Sequence, residues 1–418
     1  MASSDSHMLK FPDHFLFGAA TSAHQTEGNN TNSDWWDFER KTGTPVREPS
    51  GDACDSYHRY HEDIAIVRDF GLQAYRFSIE WARIEPAEGF FSNAELAHYR
   101  RMVEACREAG IVPVVTFHHF TLPRWLDAEG GFLSPRFVEL FERYCDRTAR
   151  ALGDLIGWAC TINEPEGAGD AGWVVGVHPP GIVGDVQSMW AVADNVFDAH
   201  RKGAAAIRRH TDAPVGVTLA LQDIQYVDGA EPGSSPWENN TRVSDRFMEA
   251  SADDEFVGIQ TYTRIVIGPE GVRGPGLQPD KKNDIVETDW TTMTGWELYP
   301  EALRGTIHRA ARISGGKPIL LTENGIATRD DPKRAYYIDK ALRTVHECLQ
   351  EGIDVRGYLY WSLLDNYEWS GGYQPQFGIC AVDRETFERT PKPSGFYLGK
   401  IAQSRALTRE PIAWPQMR

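Results

Sequence analysis

Six cysteines in 418 residues, with no CxxC pair among them, are too few and too scattered for a zinc framework or a disulfide scaffold. Positive charge is also scarce. The 43 Lys and Arg residues stand against 60 Asp and Glu, a formal charge of −17, which excludes a strongly basic nucleic-acid binder. No apolar run reaches the roughly 18 residues that span a bilayer, and the opening MASSDSHM has no apolar segment of the kind that leads a secreted chain. A reducing cytoplasm is therefore the expected compartment, with no membrane contact. Residues 1–7 are expected to be a non-native or disordered start, with Met8 the native beginning. Internal repeats, low-complexity tracts and Pro-, Gly- or Ser-rich linkers are missing too, so one domain is expected over residues 8–418.

What the sequence has in quantity is core material. It is 41% hydrophobic and carries 19 Phe, 15 Tyr and 13 Trp, which excludes intrinsic disorder. Short β-branched or aromatic runs recur eight times, at 15–20, 74–80, 112–118, 158–163, 215–219, 256–262, 319–323 and 355–362. A helical pattern follows each. Ser92-Asn93-Ala94-Glu95 is a capping box leading into Leu96, Tyr99, Val103 and Cys106 and stopping at Gly110. Ser134-Pro135 predicts an N-cap and a first-turn proline ahead of Phe137, Leu140, Phe141 and Tyr144, and Ile338, Leu342, Val345 and Leu349 run into Gly352. Alternating β and α units with apolar strands imply a parallel sheet covered on both faces. Eight such units predict an α/β fold, a closed (β/α)8 barrel. The long connections 40–57, 167–187, 222–253 and 264–297 show no sustained period and are expected to shape its C-terminal mouth.

Two strand ends carry acids. Thr161-Ile162-Asn163-Glu164-Pro165 closes the fourth strand and Leu321-Thr322-Glu323-Asn324-Gly325 the seventh, and each acid is followed by a turn residue that leaves it at the rim. Such acids can simply cap a strand end. Paired across one cavity, they supply what glycoside hydrolysis needs: one protonates the leaving oxygen and the other meets the developing oxocarbenium ion. His118-His119 could suggest a metal, but adjacent strand residues point to opposite faces and no third ligand follows at fixed spacing. Neither metal nor cofactor is expected. Glu85, Glu88, Glu297 and Glu301 read as solvated charges.

Over residues 11–398 the sequence resembles glycoside hydrolase family 1, the β-glucosidase family. The resemblance is carried by FLFGAATSAHQTEG (15–28), YRFSI (75–79), the TINEP and LLTENG segments, and YWSLLDNYEW (360–369). It implies hydrolysis of terminal β-linked sugars with retention of configuration, Glu164 as acid/base and Glu323 as nucleophile. Arg76 and Tyr262 match the groups beside the nucleophile. Gln25, His119, Asn163, Glu368 and Trp369 match the sugar-holding set, with Trp361 as the floor. The substrate so implied is a small-molecule β-glucoside, with tolerance for galactosides and fucosides; the oligomeric state stays open.

Three departures bear on this. Phe120 stands where the family has tryptophan and has no N–H to donate, and Gln260 replaces an asparagine near the nucleophile with an amide one methylene longer. The chain is also short, with the economy around the sixth strand, which predicts an open aglycone side. Branches acting on 6-phosphoglycosides carry cationic and hydroxyl residues where this chain has Glu368, Pro375 and Phe377. A 6-phospho-β-glycosidase, a transglycosylating enzyme and a catalytically silent sugar-binding barrel are the competing readings.

Overall fold

The computed structural model describes residues 8–233, 238–273 and 287–413. Eight parallel strands close into a barrel: β1 (Leu16–Ala20), β2 (Ala74–Ser78), β3 (Val112–His118), β4 (Trp158–Asn163), β5 (Val215–Ala220), β6 (Phe256–Gln260), β7 (Ile319–Asn324) and β8 (Val355–Trp361). They pair in sequence order, and β8 returns to β1 with Gly357 opposite Leu16 and Trp361 opposite Ala20. Gly18 meets Ala74 across the β1–β2 pair. A Cβ there would lie 2.4 Å from the Ala74 carbonyl oxygen, so that approach requires glycine.

Each strand is followed by a helix: α1 (Ser56–Phe70), α2 (Asn93–Glu108), α3 (Phe137–Leu152), α4 (Val186–Arg208), α5 (Glu238–Glu249), α6 (Ala302–Ile313), α7 (Asp331–Gln350) and α8 (Pro393–Ser404). Strand alternation divides the core in two. Ala74, Val114, Cys160, Phe256, Leu320 and Leu359 fill the barrel interior. Residues of the opposite phase, such as Val115 and Phe117, pack on Leu140, Phe141 and Tyr144 of the helical layer. Burying each of these larger side chains contributes about 1.5–3 kcal/mol, and both faces of every strand are used.

The expected strands are all present, and two of them end two residues early. β2 stops at Ser78 because the Glu80 side chain caps a short helix, Trp81–Ile84, accepting from Ala82 N–H at 3.0 Å. β6 stops at Gln260, so Tyr262 sits beyond the strand on the rim. The capping box is in place, with Ser92 Oγ accepting from Glu95 N–H at 3.2 Å. The Ser134-Pro135 start is corrected: α3 begins at Phe137, and Ser134 Oγ accepts from Arg136 N–H at 3.3 Å in the preceding turn.

The long connections are also more structured than expected. Segment 222–253 contains a strand, Asp223–Tyr226, and helix α5. Segment 264–297 contains the hairpin Arg264–Gly268 and Gly271–Arg273, which joins Asp223–Tyr226 in a three-stranded sheet. Parts of both segments, 234–237 and 274–286, and the start at 1–7 lie outside the described residues.

Candidate active site

Glu164 and Glu323 reach one cavity at the C-terminal end of the barrel. Glu164 follows β4 in the left-handed backbone region (φ 45°, ψ 60°), and Pro165 then opens the short helix Pro165–Gly169. Glu323 lies within β7, and strand alternation sends its neighbour Asn324 the other way. There Asn324 is pinned, donating to Thr261 O at 2.5 Å and accepting from Tyr358 OH at 2.8 Å.

Arg76 organises the floor. Its Nη1 donates to Glu323 Oε1 at 2.5 Å, its Nη2 to Asn163 Oδ1 at 2.6 Å and its Nε to Thr116 Oγ1 at 3.0 Å. Tyr262 OH donates to Glu323 Oε2 at 2.5 Å. Gln260 Nε2 donates to Glu323 Oε1 at 2.9 Å and to Asn163 Oδ1 at 2.8 Å, so the longer amide still reaches Glu323. With Oδ1 held by Arg76 and Gln260, the Asn163 carboxamide keeps its NH2 group toward His119 Nε2, 3.3 Å away. His119 is held neutral by burial and by the nearby Arg76 charge.

The two acids therefore differ in their bonding. Burial raises Glu323 from the ordinary carboxylate range, and the Arg76 charge and the Tyr262 hydrogen bond oppose that rise. Glu164 is raised well above its ordinary value by burial and then by the charge of Glu323, with only the more distant pull of Arg76 against it. Of the pair, Glu323 loses its proton first and Glu164 keeps one.

The sugar-binding residues expected from sequence converge on the same cavity. Gln25, on the short helix after β1, donates to Tyr367 O at 2.9 Å and to Glu368 Oε2 at 3.2 Å. Burial and the Glu323 charge push Glu368 up to about 8. The His119 ring lies nearly parallel to the rings of Trp361 and Trp369, with centroids 5.9 and 6.1 Å away. Phe120 meets Trp369 edge-on at 5.3 Å, and Phe377 packs on Tyr262 at 5.9 Å. The cavity, about 130 Å³, lies below the roughly 300–1,000 Å³ of drug-sized sites.

Two lining residues were not expected from sequence: His178, against Phe120 and Trp35 at 4.9 Å each, and Trp296, 5.3 Å from Tyr262. Both sit in long connections, where no period tells which side chain turns inward. His118 points away, between Phe132 and Phe141 of the outer layer. Glu85 is corrected: it is buried, accepting from Trp81 Nε1 at 2.9 Å and Gly89 N–H at 2.8 Å and pairing with Arg143.

A parallel (β/α)8 barrel with two unequal carboxyls over a charged floor is an arrangement that meets the needs of a glycoside hydrolase. A family model described as glycosyl hydrolase family 1 matches residues 7–251 and 243–407. β-Glucosidase A of Acetivibrio thermocellus is 31% identical over 446 residues, spanning 95% of this chain and 99% of that protein. The β-glucosidase of an Agrobacterium species is 32% identical over 445 residues, spanning 94% and 95%. A β-glycosidase of solved crystal structure shares 46% identity at a TM-score of 0.83, covering 98% of this chain and 100% of that one. The chain belongs to glycosyl hydrolase family 1.

Proposed function

We propose that the chain is a retaining, exo-acting β-glucosidase, with tolerance for galactosides and fucosides, in which Glu323 is the nucleophile and Glu164 the acid/base. The observation that carries the reading is the unequal bonding of the two carboxyls: Arg76, Tyr262 and Gln260 all donate to Glu323. Glu323 attacks the anomeric carbon while Glu164 gives its proton to the departing aglycone oxygen, leaving a glycosyl ester on Glu323 and an ionised Glu164. Esterification removes the Glu323 charge that had raised Glu164, so Glu164 can now hold an anion and take a proton from water. The water oxygen attacks the anomeric carbon, the ester bond breaks and both acids return to their starting states. Asn163 is suited to the 2-hydroxyl, and Gln25 with Glu368 to the far edge of the ring. The indoles of Trp361 and Trp369, with Phe120 and Phe377, supply apolar walls.

The same reading extends to the whole chain. Residues 8–418 are one domain, supported by the antiparallel pairing of Met8–Lys10 with Ala406–Thr408, which ties the two ends together. A cytoplasmic location is supported by six free, buried cysteines; among the described residues no helix is long and apolar enough to cross a membrane.

The experiment compares initial rates on 4-nitrophenyl β-D-glucoside and its 6-phosphate, with Glu323→Ala as control. Fast release from the unphosphorylated sugar, lost in the variant, is expected. Preference for the phosphate would move the assignment to the 6-phospho class, against which stands a cavity with no lysine or arginine lining it among the described residues. Binding without turnover would mark a silent barrel.

A further inference from the structure

Glu166 is a buried carboxyl that the double displacement does not use. It lies two residues beyond Glu164, on the short helix Pro165–Gly169. Its Oε1 accepts the backbone N–H of Ala220, the last residue of β5, while Oε2 is buried with no partner among the described residues. The same strand end also holds Glu164, whose N–H donates to Thr218 O at 2.8 Å. One turn therefore grips β5 twice, once through the main chain of Glu164 and once through the side chain of Glu166.

The second grip has a physical task. Glu164 sits in the left-handed region, which costs a residue with a side chain about 1–2 kcal/mol and persists only where the surroundings over-determine it. Within the turn the Glu164 carbonyl accepts from Gly167 N–H at 2.9 Å and Ala168 N–H at 3.3 Å, while Pro165, next in sequence, has no N–H to reach β5. Without Glu166, the Glu164 N–H would be the one remaining hydrogen bond of these two to β5, and the turn could shift against the strand, carrying the Glu164 carboxyl away from the glycosidic oxygen. A misplacement of about 1 Å can cost about a hundredfold in rate.

We propose that Glu166 is a positioning residue for the acid/base, fixing Glu164 over the cavity by tying its turn to Ala220 of β5. The inference rests on the reading of Glu164 as proton donor. Burial pushes Glu166 up to about 8, so near neutral pH it is an uncharged acceptor at Oε1, a role glutamine reproduces.

The test measures kcat/KM, which reports glycosyl transfer to the enzyme, on two substrates. Phenyl β-D-glucoside needs a proton on its leaving group; 2,4-dinitrophenyl β-D-glucoside does not. Glu164→Ala should lose far more on the phenyl substrate. If it loses equally on both, the proton-donor reading itself falls. With that control in place, Glu166→Ala is expected to lose at least about tenfold on the phenyl substrate and far less on the dinitrophenyl one. Glu166→Gln should stay within about threefold of the parent enzyme. Glu166→Asp keeps the acid but stops one methylene short of Ala220; it should show the same selective loss and serves where the alanine variant does not fold. Equal losses on both substrates in folded Glu166 variants, or a glutamine variant as impaired as the alanine one, overturn the proposal.

Discussion

Arg76 and Glu323 form a buried ion pair, Nη1 to Oε1 2.5 Å, beneath the cavity. Because the same guanidinium also holds Asn163, one side chain fixes both the charge of the proposed nucleophile and the orientation of the amide beside it. Removing one partner of a buried pair strands the other in a low-dielectric site. Arg76→Met should therefore lower stability by about 3–5 kcal/mol, read from urea unfolding. It should also move the acidic limb of kcat/KM to higher pH, because the Arg76 charge is what opposes the burial-driven rise of Glu323. A variant with an unmoved acidic limb contradicts this.

The alkaline limb belongs to the other acid. Glu164 is raised well above its ordinary value by burial and by Glu323, and activity is lost as pH climbs through that raised value. Glu164→Gln cannot titrate, so its residual kcat/KM on 2,4-dinitrophenyl β-D-glucoside should show no alkaline limb attributable to this group. Persistence of the parent limb would assign it elsewhere.

Stability should decline as pH rises from about 5 to about 8. Glu166 and Glu368 are both pushed up to about 8 from 4.5. The folded chain therefore holds protons that the unfolded chain releases, and the stabilisation present at low pH is lost as pH rises through the folded values. Tm measured between about pH 5 and about pH 8 should fall, and the fall should be shallower in Glu368→Gln. An equally steep decline in that variant would show that Glu368 is not among the responsible groups.

Gln260 bridges Glu323 and Asn163 with one nitrogen. Gln260→Asn withdraws that nitrogen by a methylene and should lower kcat by about tenfold, the low end of what one charge-assisted hydrogen bond contributes. The check is kcat on 4-nitrophenyl β-D-glucoside at matched folded fraction; an unchanged value would make the contact incidental.

The barrel was legible because both of its signals are local. Apolar runs such as 112–118 mark strands, and stops such as Gly110 mark helix ends. The acids Glu164 and Glu323 were legible because each sits beside a turn residue at a strand end. Other features depend on contacts distant in sequence. Glu85 looks like a surface charge until Trp81 and Arg143 are folded around it. His178 and Trp296 enter the cavity from connections with no period, and Glu166 acquires its partner only when β5 lies alongside the turn after β4. The start of α3 slipped by two residues because Ser134 can serve a turn as readily as a helix, and its hydroxyl here serves the turn.

The double displacement requires that Glu323 carry the sugar covalently. The most direct measurement is incubation with 2,4-dinitrophenyl 2-deoxy-2-fluoro-β-D-glucoside, followed by intact mass and peptide mapping. A single 2-fluoroglucosyl unit on the peptide containing Glu323, with activity lost in step, is the predicted result. A label on another residue, or turnover of the reagent without any covalent adduct, would remove Glu323 from the nucleophile's role.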